Sequence, residues 1–99
     1  MPAYLVVRTI SISDPIRYEE YRKVAAPIVA RYGGQYVVRG SVEKTLEGGH
    51  DAQRMTVIQF QDEAQLLRFW NSSEYSEARK IRLTAGNLHV GYVPGFDGQ

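Results

Sequence analysis

An α+β domain of order β-α-β-β-α-β, on one four-stranded antiparallel sheet, is predicted by three features of the 99-residue chain. Runs rich in β-branched residues alternate with helical periodicities, and the two inner runs follow one another across a polar loop with no helix between them. The second helical region is divided at Asn71-Ser72-Ser73, which ends one helix and caps the next.

Ala3 to Ile10 is apolar and β-branched with Arg8 set into it, which predicts a first strand with burial on both faces. Asp14-Pro15 starts a helix: the acid caps, and proline takes the first position, where its missing N–H costs nothing. Tyr18, Tyr21, Ala25, Ile28 and Tyr32 recur at three- and four-residue spacing up to Gly33-Gly34, where the helix ends. Pro27 removes one hydrogen bond from that helix and crowds the carbonyl of Lys23, which predicts a local bend. Gln35 to Ser41 and Arg54 to Phe60 form a hairpin across KTLEGGHDAQ, a loop too long for a tight turn. Asp62 caps a short helix carrying Leu66, Leu67 and Trp70, a helix from Ser73 to about Thr84 follows, and Asn87 to Val93 is the last strand. Pro94-Gly95 closes it before a polar tail, expected to be mobile or docked on a partner. This order is the split βαβ pattern of ferredoxin-like folds, in one domain over 1–99.

Such a sheet carries helices on one face only, yet its strands are apolar at odd and even positions alike. Leu5 and Val7 alternate with Val6 and Ile10, and Val57 with Ile58 and Phe60. An uncovered apolar face in a chain this small calls for a partner, and a homodimer through the sheet face supplies it.

Composition narrows the function. A net charge of +1 and the absence of a dense Lys/Arg block argue against a nucleic-acid partner. With no cysteine, disulfides, thiolate metal sites and a cysteine nucleophile are excluded. MPAYLVVRTI lacks a basic n-region and is too short and interrupted for a signal or a membrane span, so a cytoplasmic protein is expected, with no membrane partner. No paired metal-ligand pattern or Gly-rich nucleotide loop is present, so neither metal nor cofactor is expected. His50 sits in a Gly-rich loop and reads as a solvated turn residue.

The stretch RFWNSSEYSEARKIR, Arg68 to Arg82, carries the strongest functional signal. Ser72 caps, Glu74 complements the helix dipole, and Tyr75, Arg79 and Arg82 share one face at i, i+4 and i+7. Trp70 can fold over the same region. Tyr21, Tyr36, Arg39, Trp70, Tyr75, Arg79 and Arg82 are therefore the candidate ligand-binding residues, with His89 and Tyr18 as candidates to move a proton. Arg79 beside Tyr75 is read as an anion-accepting corner completed by Arg39 and roofed by Trp70; the competing reading pairs Arg79 with Glu74, Glu77 or an acid of the first helix. Arg39, a charge within an apolar strand, needs a carboxylate, a carbonyl or a ligand, with Glu19, Glu20 and Glu74 as available structural partners.

The chain resembles the domain of unknown function 1330 family of the dimeric α+β barrel superfamily. The resemblance rests on YEEYRK at Tyr18 to Lys23, RYGGQYVVRG at Arg31 to Gly40, LEGG at Leu46 to Gly49 and FWNSSEYSEARKIR at Phe69 to Arg82. The family's serine-proline-glutamate-tyrosine helix start reads Ser72-Ser73-Glu74-Tyr75 here. The resemblance implies a ferredoxin-like fold, a dimer and a pocket between sheet and helices. Related barrels include cofactor-free monooxygenases, muconolactone-type isomerases and haem enzymes. Two functions stand: a cofactor-independent enzyme acting on a small aromatic or carboxylated metabolite, and a non-catalytic small-molecule-binding or stress-associated dimeric module.

Overall fold

Local capping chemistry sets the three helices. In the computed structural model, which describes residues 1–49 and 54–96, α1 spans Pro15–Arg31, α2 Glu63–Trp70 and α3 Ser73–Leu83. Asp14, Asp62 and Ser72 each stand in extended conformation and accept the backbone N–H three residues on, at 3.1, 2.8 and 3.1 Å. α1 runs through Pro27, which lies on its exposed side, while the neighbouring Ile28 and Val29 are buried. After α1, Gly33 takes φ +81°, the left-handed step that turns the chain towards the second strand. His50 lies outside the described residues.

The strands β1 (Ala3–Ile12), β2 (Gln35–Ser41), β3 (Arg54–Phe60) and β4 (Gly86–Pro94) form one antiparallel sheet in the order β2-β3-β1-β4. β1 and β4 are longer than the sequence pattern predicts. A bulge between Thr9 and Ser11 breaks the period-2 alternation, and pairing resumes beyond it as Ser11 to Asn87 and Ile12 to Gly86. A second bulge, between Tyr36 and Val38, shifts the register of β2 against β3.

All three helices pack on the face bearing Ala3, Leu5, Ile58 and Phe60. There they meet Ala25, Ile28 and Val29 of α1, Leu66 and Phe69 of α2, and Tyr75 and Ala78 of α3. A thickness of 15 Å in Cα positions leaves room for two layers, sheet and helices. The opposite face is bare, and across its middle the register aligns Val38, Val57, Val6 and Gly91. Among the described residues, no helix is long and apolar enough to cross a membrane.

Candidate functional site

Helical spacing brings Tyr18, Tyr21, Arg22, Ala25 and Val29 of α1 over the sheet, where they line one wall of a cleft. Tyr75 enters from α3 at the first turn beyond the Ser72 cap, its ring 4.5 Å from Phe69 and 5.4 Å from Trp70, centroid to centroid. The hydroxyls of Tyr21 and Tyr75 meet at 2.8 Å. The floor is Leu5, Val7, Thr56 and Ile58, with Leu88 of β4.

β2 contributes both Tyr36 and Arg39, although residues three apart on a regular strand face opposite sides. The bulge at Val37 reconciles them: Tyr36 pairs with Ile58 and Arg39 with Thr56, and those two partners share the helix-side face. The Arg39 guanidinium lies 4.5 Å from the centroid of the Tyr36 ring, a cation–π contact beyond the carboxylate, carbonyl or ligand that the sequence offered for it. Arg22, half-buried and paired with Glu19 at 3.3 Å, and Arg54 of β3 complete the polar lining. No carboxylate and no histidine lies among these lining residues.

Electrostatics makes the phenols donors. Burial pushes the Tyr21 hydroxyl well above its ordinary pKa of 10.0, the neighbouring Tyr75 phenol pushes it further, and Arg82 opposes both. Tyr36 is raised by burial, with Arg39 drawing it back. Both stay protonated near neutral pH and can donate to an oxyanion. The cavity within the cleft is about 40 Å³, room for ordered water or for the charged head of a small acid whose remainder lies at the open side. Arg39 is exposed, which puts the open side beside the edge strand β2.

The structure thus brings together Tyr18, Tyr21, Tyr36, Tyr75 and Arg39, and it disperses the others. Arg79 stacks over Trp70 at 4.7 Å, outside the cleft lining. Trp70 belongs instead to an apolar groove with Leu66, Leu67, Val90 and Tyr92, and its ring lies 5.4 Å from that of Tyr75. The ion pairs considered for Arg79 are taken: Glu74 pairs with Arg31 and Glu77 with Lys80. Arg82 is 5% exposed, facing inward, with Nε unbonded. His89 pairs with Arg8 in the β1–β4 register, on the bare sheet face, so the sheet separates it from the phenols. Arg22 and Arg54 escaped the sequence reading. Arg54 was legible in principle, since it alternates with Thr56 and Ile58 on the buried side of β3.

A family model for the domain of unknown function DUF1330 matches residues 2–96. No curated protein sequence matches the chain. Among solved structures, a protein of unknown function from Rhodopseudomonas palustris superposes with a TM-score of 0.77 at 19% identity, over 97% of this chain and 83% of the other. A dimeric ferredoxin-like protein of unknown function from Jannaschia sp. superposes with a TM-score of 0.75 at 10% identity, over 96% of this chain and all of that one (100%). SnoaB, a cofactor-independent oxygenase from Streptomyces nogalater, is similar at a TM-score of 0.67 and 12% identity, over 97% and 93% of the two chains. At these identities the likeness is one of fold.

Proposed function

The chain belongs to the DUF1330 family, and from that premise we propose that it is a homodimeric small-molecule-binding protein whose helix-side cleft takes a small carboxylated metabolite. One observation carries the reading: tyrosine hydroxyls and arginine side chains converge on a cleft whose lining, among the described residues, includes no acid. Guanidinium groups cannot shed their charge, and while Arg22 pairs with Glu19, Arg39 and Arg54 have no carboxylate partner among the described residues, so beside an apolar floor they are completed by an anion. The phenols donate hydrogen bonds, and Leu5, Val7 and Ile58 contact the ligand's apolar part.

The dimer forms through the bare sheet face. The dimeric Jannaschia protein supports association in this fold, and the Val38, Val57, Val6 and Gly91 row supports this face as the interface.

A second reading, a cofactor-independent enzyme, draws on the Tyr21–Tyr75 hydroxyl pair. One hydroxyl of the pair donates to the other, which leaves the second hydroxyl's proton to stabilise an enolate or another oxyanion as it forms. Among the described residues the cleft lining includes neither a carboxylate nor a histidine, and its arginines favour binding as the better-supported function. A thermal-shift screen of small aromatic acids and lactones tests it: a carboxylated ligand should raise the melting temperature of the wild type, and Arg39→Gln should remove the shift. If no such compound shifts the wild type, the binding reading fails. Deuterium exchange at the α-carbon of a bound ligand would instead establish the enzyme.

A further inference from the structure

The fold leaves polar groups unsatisfied at the cleft lining, in Arg54, and beside it, in Thr9 and Arg82. Among the described residues, three buried side-chain atoms lack a hydrogen-bond partner: Thr9 Oγ1, Arg54 Nε and Arg82 Nε. Buried donors are almost always satisfied, so three left open together call for a physical reason.

The register sets two of them side by side, and α3 brings the third towards the same region. Thr9 and Arg54 are direct partners in the β1–β3 ladder, and Thr9 also pairs with Leu88, which lines the cleft. Arg82 arrives from the last turn of α3. Three residues on, the carbonyl of Ala85 accepts from the N–H groups of Ser13 and Asp14, just past β1, at 2.9 and 3.0 Å, which ties the end of α3 to the end of that strand. Arg82 also acts electrostatically on Tyr21, a wall of the same cleft. Thr9 is fully buried and Arg82 is 5% exposed, so solvent does little to relieve either. Among the described residues, neither Arg54 nor Arg82 has an ion pair, and Arg39 has only the ring of Tyr36.

Three arginines with no acid partner among the described residues exceed what one carboxylate neutralises. Arg39 pairs with Thr56, and Arg54 lies two residues along the same strand face, which makes the two arginines diagonal neighbours about 7–8 Å apart at Cα. We propose that Thr9, Arg54 and Arg82 hold a second anionic group, so that the ligand is a small doubly charged oxyanion, either a dicarboxylate or a phosphate ester. Arg39 and Tyr36 take one end or face of it at the open side, and the Thr9 hydroxyl with the guanidinium groups takes the other. This rests on the cleft being an anion-binding site, and it adds the charge and size of the ligand.

Isothermal titration calorimetry at low ionic strength tests it, with malonate, inorganic phosphate and the monoanion benzoate as probes. Charge-assisted hydrogen bonds predict that malonate or phosphate binds the wild type at least about tenfold more tightly than benzoate. Arg54→Gln should weaken the dianions more than benzoate, and the near-isosteric Thr9→Val should abolish the preference for them. Both avoid truncating the buried Arg82, and circular dichroism checks that each variant folds. A preference for phosphate assigns a phosphate ester, and one for malonate assigns a dicarboxylate. Benzoate binding as tightly as both dianions would overturn the second anionic group and leave the proposed function standing. Dianion binding untouched by both substitutions would overturn its location. Failure of all three probes to bind would overturn this inference and the binding function together.

Discussion

The hydroxyls of Tyr21 and Tyr75 lie 2.8 Å apart, joining α1 to α3 across the cleft at a point where burial holds the Tyr21 phenol well above its ordinary pKa. Removing either hydroxyl strands the other. Tyr21→Phe and Tyr75→Phe should each cost about 1–3 kcal/mol in urea melts, whereas the double variant should cost less than their sum, because no orphan hydroxyl remains. Strict additivity would show that the pair is uncoupled.

The same pair predicts a pH dependence. A raised phenol pKa means that the unfolded chain gives up its proton first as pH climbs past the ordinary value of 10.0, while the folded chain still holds it. The unfolded state then binds fewer protons, so stability declines as pH rises above about 10 and is unaffected by this group below that point. Denaturant midpoints followed upward through that range should fall for the wild type and fall less for Tyr21→Phe. Equal slopes would remove Tyr21 as the source.

Gly34 is a packing requirement. A Cβ there would stand 2.8 Å from Val29 Cγ1 and 3.0 Å from both Ile58 Cγ2 and Phe60 Cε1, all side chains of the helix–sheet core. Gly34→Ala should destabilise the protein by about 1–3 kcal/mol through overpacking. Adding Val29→Ala should recover part of that loss by making room for the methyl group. A fully stable Gly34→Ala would mean that the turn after α1 relaxes away from the sheet.

Val57 tests the bare face, where it lies between Val6 and Val38 in the register. Light scattering after size exclusion should give twice the chain mass for the wild type and the single-chain mass for Val57→Lys, because a charge in the middle of an apolar interface has no partner. A wild-type monomer would refute the dimer. A dimeric Val57→Lys would move the interface elsewhere.

Much of the fold was legible because its signals are local. Asp14, Asp62 and Ser72 cap within three residues of themselves, and apolar periodicity fixed which side of α1 is buried. The two bulges were not legible, since an extra residue in a strand is defined by its partner's register and not by its own sequence. That limit reached the site directly. Tyr36 and Arg39 share a face only through the bulge at Val37, and His89 is separated from the phenols only by the pairing of β4 with β1. The i, i+4 relation of Tyr75 and Arg79 holds along α3, but a shared helix face is broad. Tyr75 points into the core, while Arg79 turns out over Trp70.

Arg79 therefore has a definite expected phenotype. Its guanidinium lies 4.7 Å from the Trp70 ring centroid, it has no ion pair among the described residues, and it is absent from the cleft lining. Arg79→Leu leaves no buried carboxylate unpaired, so the loss should be confined to the cation–π contact and side-chain packing, about 0.5–1 kcal/mol. Trp70 is the only tryptophan, so its fluorescence reports the change without a label. Its emission should shift in Arg79→Leu, while the melting-temperature rise given by a carboxylated ligand stays at the wild-type value. Arg39→Gln should behave in the opposite way, with unaltered Trp70 emission and the ligand response lost, because Arg39 lies at the open side of the cleft beside Tyr36. If Arg79→Leu abolished the ligand response with the fold intact, the anion would have to reach α3 beyond Trp70, and the boundary of the cleft drawn here would be wrong.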